Sequence, residues 1–238
     1  MLYDQGVQTV LPPGYLCCGY PQTSIGEEEK GRAITTENRV LFHRVANTLN
    51  YLDIKTVIVS CGTCMDQLLK YEFEKIFPDC RLLDIHEYLM EQGVKTDDVE
   101  GVQYIYHEPC HKPMKKHESL DVAEQLLGSK PALSERCCGE AGTFAVSRPD
   151  IATQVRHRKL QELESNLQQI KVTSATEPKV KLLTSCPACQ QGLSRYKDDT
   201  DLDTDYIVVE LANKYLGENW QADFVKTVTD QGIERVLL

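Results

Sequence analysis

The sequence predicts an α/β fold: two pseudo-repeated βα units with mainly parallel sheets and cysteine loops at the strand ends. Three observations carry this. Short aliphatic or β-branched runs, "TVIVS" at Thr56–Ser60 and "VKLLTS" at Val180–Ser185, alternate with stretches of helical period. Each run leads into a Cys-x-x-Cys, "CGTC" at Cys61–Cys64 and "CPAC" at Cys186–Cys189. Each is preceded by a "CCG", at Cys17–Gly19 and Cys137–Gly139. Alternating strands and helices favour parallel sheets, because parallel neighbours need a crossover between them.

The two halves share one order of elements. The first reads "LCCGYPQTSIG", a helical stretch, "TVIVSCGTCMDQLLKY" and "RLLDIHEYL"; the second reads "RCCGEAGTFAV", a helical stretch, "VKLLTSCPACQQGLSRY" and "YIVVELANKYL". Cys17 aligns with Cys137 at an offset of 120 and Cys61 with Cys186 at 125. Val40, Leu41, Val45 and Leu49 give Asn38–Asn50 a helical spacing, and Ile151, Val155, Leu160, Leu163, Leu167 and Ile170 do so for Asp150–Ile170. Pro149 and Asp150 suit a helix start. Helices are also expected over Met65–Phe77, Ser119–Leu127 and Gln190–Tyr196, and a strand over "VQYIYHEPC", ending on Cys110. "PDCRLLDI" reads as a turn into a strand that includes Cys80, and the acidic Lys197–Asp205 as a solvated loop. A boundary near Glu91–Gly101 divides the chain into residues 1–97 and 98–238, the first unit shortened at its N-terminus.

Composition narrows the function. The 238 residues, 41% of them hydrophobic, suffice for one large domain or two small ones. A net charge of −10 without a basic stripe argues against nucleic acid as a partner. No apolar run approaches the roughly 20 residues that span a bilayer. "MLYDQGVQTVLPPGY" lacks the basic start and apolar stretch of a signal peptide. The expected location is cytoplasmic, with any contact to the inner membrane peripheral and made through partners. No Gly-x-Gly-x-x-Gly or P-loop string is present, so a flavin belongs on another domain or subunit.

Ten cysteines in such a chain point to metal binding or redox work, since disulfides are rare in reducing compartments. A Cys-x-x-Cys between strand and helix lies at a helix N-terminus, whose partial positive charge favours thiolate. Gly19, Gly139 and Gly142 let the CCG backbone approach a bulky group. Loops at the carboxyl ends of parallel strands gather along one edge, so Cys110, Cys137, Cys138, Cys186 and Cys189 are expected to converge. Zinc takes four ligands at about 2.3 Å around one point, a poor match for adjacent cysteines, whereas a cluster offers them different irons. Two other readings stay open: a structural zinc protein, and a thioredoxin-like dithiol exchanger using CGTC or CPAC. His107, His111 and His117, with Lys112, Lys115 and Lys116, crowd Cys110 as donors tuning the centre or as a docking surface for an acidic thiol. Among them His111, next to Cys110, is the first choice for a hydrogen bond to sulfur. His43, His86 and His157 read as surface or core residues of helices, and Glu108 and Glu140 as weak acid/base candidates.

The strings "YHEPCHKP", "ERCCGEAGTFAV", "GYLCCGYP" and "VSCGTC" resemble the CCG (cysteine-rich) domain family. Its members include the cysteine-rich subunit of heterodisulfide reductase, the iron–sulfur subunits of glycolate oxidase and anaerobic glycerol-3-phosphate dehydrogenase, and lactate-utilisation proteins. The resemblance implies a noncubane [4Fe-4S] cluster on Cys110, Cys137, Cys138, Cys186 and Cys189. At Cys17, Cys18, Cys61 and Cys64 it leaves open a vacant site, zinc or a lesser cluster. The 27-residue gap from Cys110 to Cys137 would put the first repeat's leading cysteine before Met1. The chain is thus expected to be the C-terminal part of a longer FAD-linked dehydrogenase. The implied partners are a flavin-containing dehydrogenase domain or subunit, and a ferredoxin-type domain or a quinone as acceptor. The implied role is electron transfer from oxidation of a 2-hydroxy acid, or heterodisulfide-reductase-like chemistry on sulfur.

Overall fold

The computed structural model describes residues 1–12, 16–97, 101–140, 143–174 and 177–231; Gly142 and the expected boundary at residues 98–100 lie outside them. The first half runs α1 (Tyr20–Ser24), α2 (Glu28–Thr48), β1 (Thr56–Val59), α3 (Gly62–Leu68), β2 (Arg81–Asp84) and α4 (Ile85–Glu91). The second opens with β3 (Val102–His107), α5 (Ser119–Leu127) and β4 (Ala132–Ser134). It continues with α6 (Phe144–Ser147), α7 (Pro149–Thr173), β5 (Lys179–Thr184), α8 (Pro187–Leu193), α9 (Lys197–Thr200), β6 (Asp203–Tyr206), α10 (Ile207–Leu216) and α11 (Trp220–Gln231).

All strand pairs are parallel. β1 pairs with β2, and a separate sheet has the order β4-β3-β5-β6. The two-residue period of the central strands divides the core: Tyr104, Tyr106 and Leu183 pack on the face carrying α4, α5 and α10, while Ile105 and Leu182 pack on the face carrying α7 and α8. Leu89 of α4 lies in the first of these clusters, so the first half contributes to the core of the second. Tyr206 Oη donates to Ser60 O at 2.9 Å, and Val208 N–H donates to His86 Nε2 at 3.2 Å, tying β6 and α10 to the first half. His43 and His157 are exposed, whereas His86 is fully buried.

Four elements differ from expectation. The helix read over Met65–Phe77 ends at Leu68 and gives way to 3₁₀ turns at Leu69–Tyr71 and Phe73–Lys75, with Glu72 at φ +53° between them. In a continuous helix Tyr71 and Phe73 would point about 200° apart. The break instead stacks them at 5.7 Å and buries both in one core with Ile76 and Phe77. The Gln190–Tyr196 helix likewise starts earlier, at Pro187, and tightens into a 3₁₀ turn at Ser194–Tyr196. The acidic Lys197–Asp205 segment is no loop: α9 and β6 lie there, and β6 pairs with β5 from Lys181↔Asp203 to Thr184↔Tyr206. Backbone pairing overrides a poor strand composition, and Lys197 neutralises Asp201 and Asp203 at 2.8 and 2.9 Å. Strand β3 stops at His107, short of Cys110, because Pro109 offers no N–H to the ladder. Among the described residues, no helix is long and apolar enough to cross a membrane.

Candidate metal centre

Both Cys-x-x-Cys pairs are held alike. Cys61 and Cys186 are extended (φ −154°, ψ 128° and φ −139°, ψ 127°) and cap the starts of α3 and α8. Their carbonyls accept the first helical hydrogen bonds, from Met65 and Gln190 N–H, both at 2.9 Å. The CCG loops also match: Gly19 and Gly139 have φ +82° and +80°, a left-handed turn directly after each pair of thiols. Cys110, Cys137 and Cys186 follow β3, β4 and β5, whose carboxyl ends lie side by side.

These loops bring thiols of both sets together. Cys138 Sγ donates to Cys189 Sγ at 3.3 Å, and Cys110 and Cys138 act on the Cys137 thiol, and Cys186 on that of Cys189, closely enough to shift their pKa values. Cys186 and Cys64 act likewise on Cys61, and Cys64 on Cys18. Cys61 packs against the buried cluster that holds Cys138, Cys186 and Cys189, so the first and second sets adjoin there. Among the described contacts, Cys17 is placed by its carbonyl, which accepts from Asn38 Nδ2 at 2.7 Å. Cys80 instead packs on the core of Tyr71, Phe73, Ile76 and Phe77, its thiol 3.6 Å from Arg81 O. Cys138, Cys186 and Cys189 are buried, Cys17, Cys18, Cys61 and Cys64 half-buried, and Cys110 and Cys137 exposed.

The thiols divide: Cys18, Cys61 and Cys137 are lowered in pKa, whereas bonds to neighbouring thiols and burial raise Cys64, Cys110, Cys138, Cys186 and Cys189. Hydrogen bonds from Cys186 and Cys64 lower the Cys61 pKa far below the ordinary thiol value, and those from Cys110 and Cys138 do the same for Cys137. Gly139 N–H adds a bond to Cys137 Sγ at 3.3 Å. Cys64 holds Cys18 at about 7. Thiolate is the metal-binding form. The donor set thus fits a centre with several metal atoms: adjacent Cys137 and Cys138 with Cys186 and Cys189 clustered beside them can reach different metal atoms, whereas a lone ion needs ligands around a point.

Of the histidines near Cys110, His111 is not the one facing sulfur. Its Nδ1–H donates to Asp66 Oδ2 at 2.6 Å and its Nε2 accepts from Tyr20 Oη at 3.1 Å. Lys115 binds the other Asp66 oxygen at 2.7 Å. Both ring nitrogens are engaged in a joint between the halves. His117 faces Glu91 at 3.8 Å. Glu108 pairs with Lys112 at 2.9 Å and Glu140 with Arg195, which leaves neither free as an acid or base.

His107 is the buried one, and beneath it lies a residue that sequence reasoning passed over. Lys159 Nζ is fully buried and contacts His107 Nδ1 (3.0 Å), Glu162 Oε2 (2.7 Å) and Ser134 Oγ. Glu162 Oε1 also accepts from Glu135 and Arg136 N–H, at 3.1 and 3.2 Å, pinning the loop that leads to Cys137. A signal existed: Lys159 lies four residues after Val155 and four before Leu163, on the apolar stripe of α7. Burial opposes ionisation of Glu162, but the bonds from Lys159 and Ser134 outweigh it and lower its pKa. A depressed carboxyl stabilises the fold above its unfolded pKa and loses that contribution as pH falls through the folded value. The stability advantage of wild type over Glu162→Gln is thus expected to be complete above about pH 5 and to shrink below about pH 4. Urea titrations of both proteins across that range check it.

Several known proteins are similar to this chain. An uncharacterized iron–sulfur protein of Methanocaldococcus jannaschii is 25% identical over 224 residues, 90% of this chain and 41% of the relative. A subunit of the fumarate reductase (CoM/CoB) of Methanothermobacter marburgensis is 25% identical over 201 residues, 80% of this chain and 36% of the relative. The glycolate oxidase iron–sulfur subunit of Escherichia coli is 32% identical over 171 residues, 66% of this chain and 42% of the relative. The chain thus spans about two fifths of the length of these relatives. No solved structure matches it. Residues 194–238 match a domain of unknown function, DUF3400. The cysteine-rich domain model matches residues 1–69 and 104–194, which hold every cysteine of the two sets, and the chain belongs to the cysteine-rich (CCG) domain family.

Proposed function

We propose that this chain is an iron–sulfur redox module of a multi-subunit or multi-domain oxidoreductase. The observation that carries the reading is the gathering of Cys138, Cys186 and Cys189 in one buried cluster with Cys61 of the first set packed against it. In this reading Cys110, Cys137, Cys138, Cys186 and Cys189 hold a [4Fe-4S] cluster of noncubane type. Cys17, Cys18, Cys61 and Cys64 hold a second centre, either zinc or a smaller cluster. Residues 1–97 supply one set and residues 98–238 the other. Such centres supply one-electron chemistry and iron that binds sulfur. The chain's own residues bury the inner edge of the centre against α7 and α8 and leave Cys110 and Cys137 at the surface.

The names of the relatives support a partner that performs the substrate chemistry, since two are subunits of a glycolate oxidase and a fumarate reductase. We place a flavin there, on a separate domain or subunit that oxidises a 2-hydroxy acid. A ferredoxin-type domain or a quinone is the acceptor, and the location is cytoplasmic.

The test is metal and sulfide analysis of protein prepared without oxygen. Iron with acid-labile sulfide and a broad absorbance near about 400 nm is expected. Zinc without sulfide would select a structural metal protein. Thiol–disulfide exchange that survives replacement of Cys137 and Cys138 by serine would select a dithiol exchanger instead.

A further inference from the structure

A cavity of about 510 Å³ lies between the loop that carries the second CCG and helix α7, lined by Arg136, Cys137, Val155, Arg158 and Gln161. Val155, Arg158 and Gln161 follow one another at intervals of three, so α7 presents them from neighbouring turns. Arg136 and Cys137 come from the loop after β4. The volume falls within the usual range for sites that take small molecules, roughly 300–1,000 Å³.

The charge on this lining is of one sign. The chain has 36 acidic and 26 basic residues, yet among the described residues the lining holds two arginines and no acid. Arg39, Arg81, Arg148 and Arg195 each meet a carboxylate. Arg136 and Arg158 meet none among the described residues. Glu162, which reaches this loop, is already committed: its oxygens take Lys159 Nζ, Ser134 Oγ and the backbone N–H groups of Glu135 and Arg136. Arg136 is also held in place, its Nη1 donating to Arg158 O at 2.8 Å. A guanidinium has five N–H donors, so this bond anchors the fork and leaves the others for an oxyanion. Val155 gives the same cavity an apolar surface.

We propose that this cavity binds a small organic anion, its carboxylate or phosphate held by Arg136 and Arg158 and its body against Val155. Both head groups offer the paired oxygens that a guanidinium fork meets bidentately. Cys137 is exposed and belongs to the same lining, so the bound anion lies at the open edge of the second cysteine set. The site is independent of which metal the cysteines hold. Its redox consequence rests on the iron–sulfur reading: a negative charge beside the cluster disfavours the added electron and lowers the reduction potential. Reciprocally, the oxidised centre binds the anion more tightly than the reduced one.

Three probes with one body separate the head group from apolar binding: benzoate, phenyl phosphate and neutral benzamide, each titrated calorimetrically into the purified chain at constant ionic strength. One saturable site is expected for at least one anion and none for benzamide, and the tighter anion identifies the head group. Arg136→Gln and Arg158→Gln are each expected to weaken that binding about tenfold or more, the scale of a lost charge-assisted hydrogen bond. Arg32→Gln removes an exposed arginine of α2 and changes the net charge equally, so it is expected to bind as wild type does. Arg136 and Arg158 are exposed, and unchanged denaturant midpoints are expected to show that the variants stay folded. No saturable anion binding, equal binding of benzamide, or an equal loss in Arg32→Gln overturns the proposal. In the iron-loaded protein the same anion is expected to move the midpoint potential negative in wild type and not in Arg158→Gln. An unmoved potential at saturating anion overturns the placement beside Cys137. Protein without iron would refute the proposed function while leaving the calorimetry decisive for the site.

Discussion

Gly62→Ala is expected to destabilise the chain by about 3 kcal/mol or more, beyond the roughly 1–3 kcal/mol of ordinary overpacking. A Cβ at Gly62 would overlap His111 O and lie 2.6 Å from His111 C, so the obstacle is backbone. Backbone there cannot step aside cheaply, because His111 follows Cys110 and its ring is clamped between Asp66 and Tyr20. Relief would require separating the halves at the point where Cys61 packs against the cluster that holds Cys186. The matching position after Cys186 is Pro187, which fits the first turn of α8. The difference between CGTC and CPAC thus reflects what presses on each loop. Gly192→Ala supplies the control: its Cβ would lie 2.5 Å from Glu140 Cγ, part of a side chain, and 3.2 Å from the nearest backbone atom, Cys138 O, so a smaller loss is expected. Denaturant midpoints of the three proteins check this, and a wild-type midpoint for Gly62→Ala would refute the packing described.

The second large effect is at Lys159. Lys159→Met is expected to cost about 3–5 kcal/mol, the range for removing one member of a buried ion pair. The loss goes beyond Coulombic attraction: Ser134 Oγ and His107 Nδ1 lose their donor, and the Glu162 carboxylate, 18% exposed, loses its counter-charge. Because Glu162 also binds the backbone of Glu135 and Arg136, the loop presenting Cys137 is expected to loosen. The double variant Lys159→Met/Glu162→Gln removes the stranded charge and is expected to recover part of the loss, as non-additivity between contacting residues requires. Single and double variants that simply add would show that the two side chains do not act as a pair.

Much of the site is legible in the residues. Each Cys-x-x-Cys falls between a strand and a helix, and Cys61 and Cys186 cap α3 and α8. Ser119–Leu127 reads as a helix and α5 has those bounds, because Val122, Ala123, Leu126 and Leu127 keep strict helical spacing. The failures share a cause: side chains or strands governed from elsewhere in the chain. Lys197–Asp205 looks like a solvated loop until β5 offers it a ladder. Met65–Phe77 looks helical until Tyr71 and Phe73 must fill the same core. His111 looks closest to sulfur because it adjoins Cys110, yet Asp66, 45 residues away, turns its ring aside.

By itself the sequence determined the alternation of strand and helix, the doubled cysteine pattern and the α/β class, since periodicity, caps and turn glycines act over a few residues. Only the tertiary structure decided that the two cysteine sets adjoin, that His107 rather than His111 lies beside the buried sulfurs, and that Lys159 stands behind it. Those facts depend on distances between residues 25 to 125 positions apart in the chain, which are set by how helices cover the sheet and not by any local preference.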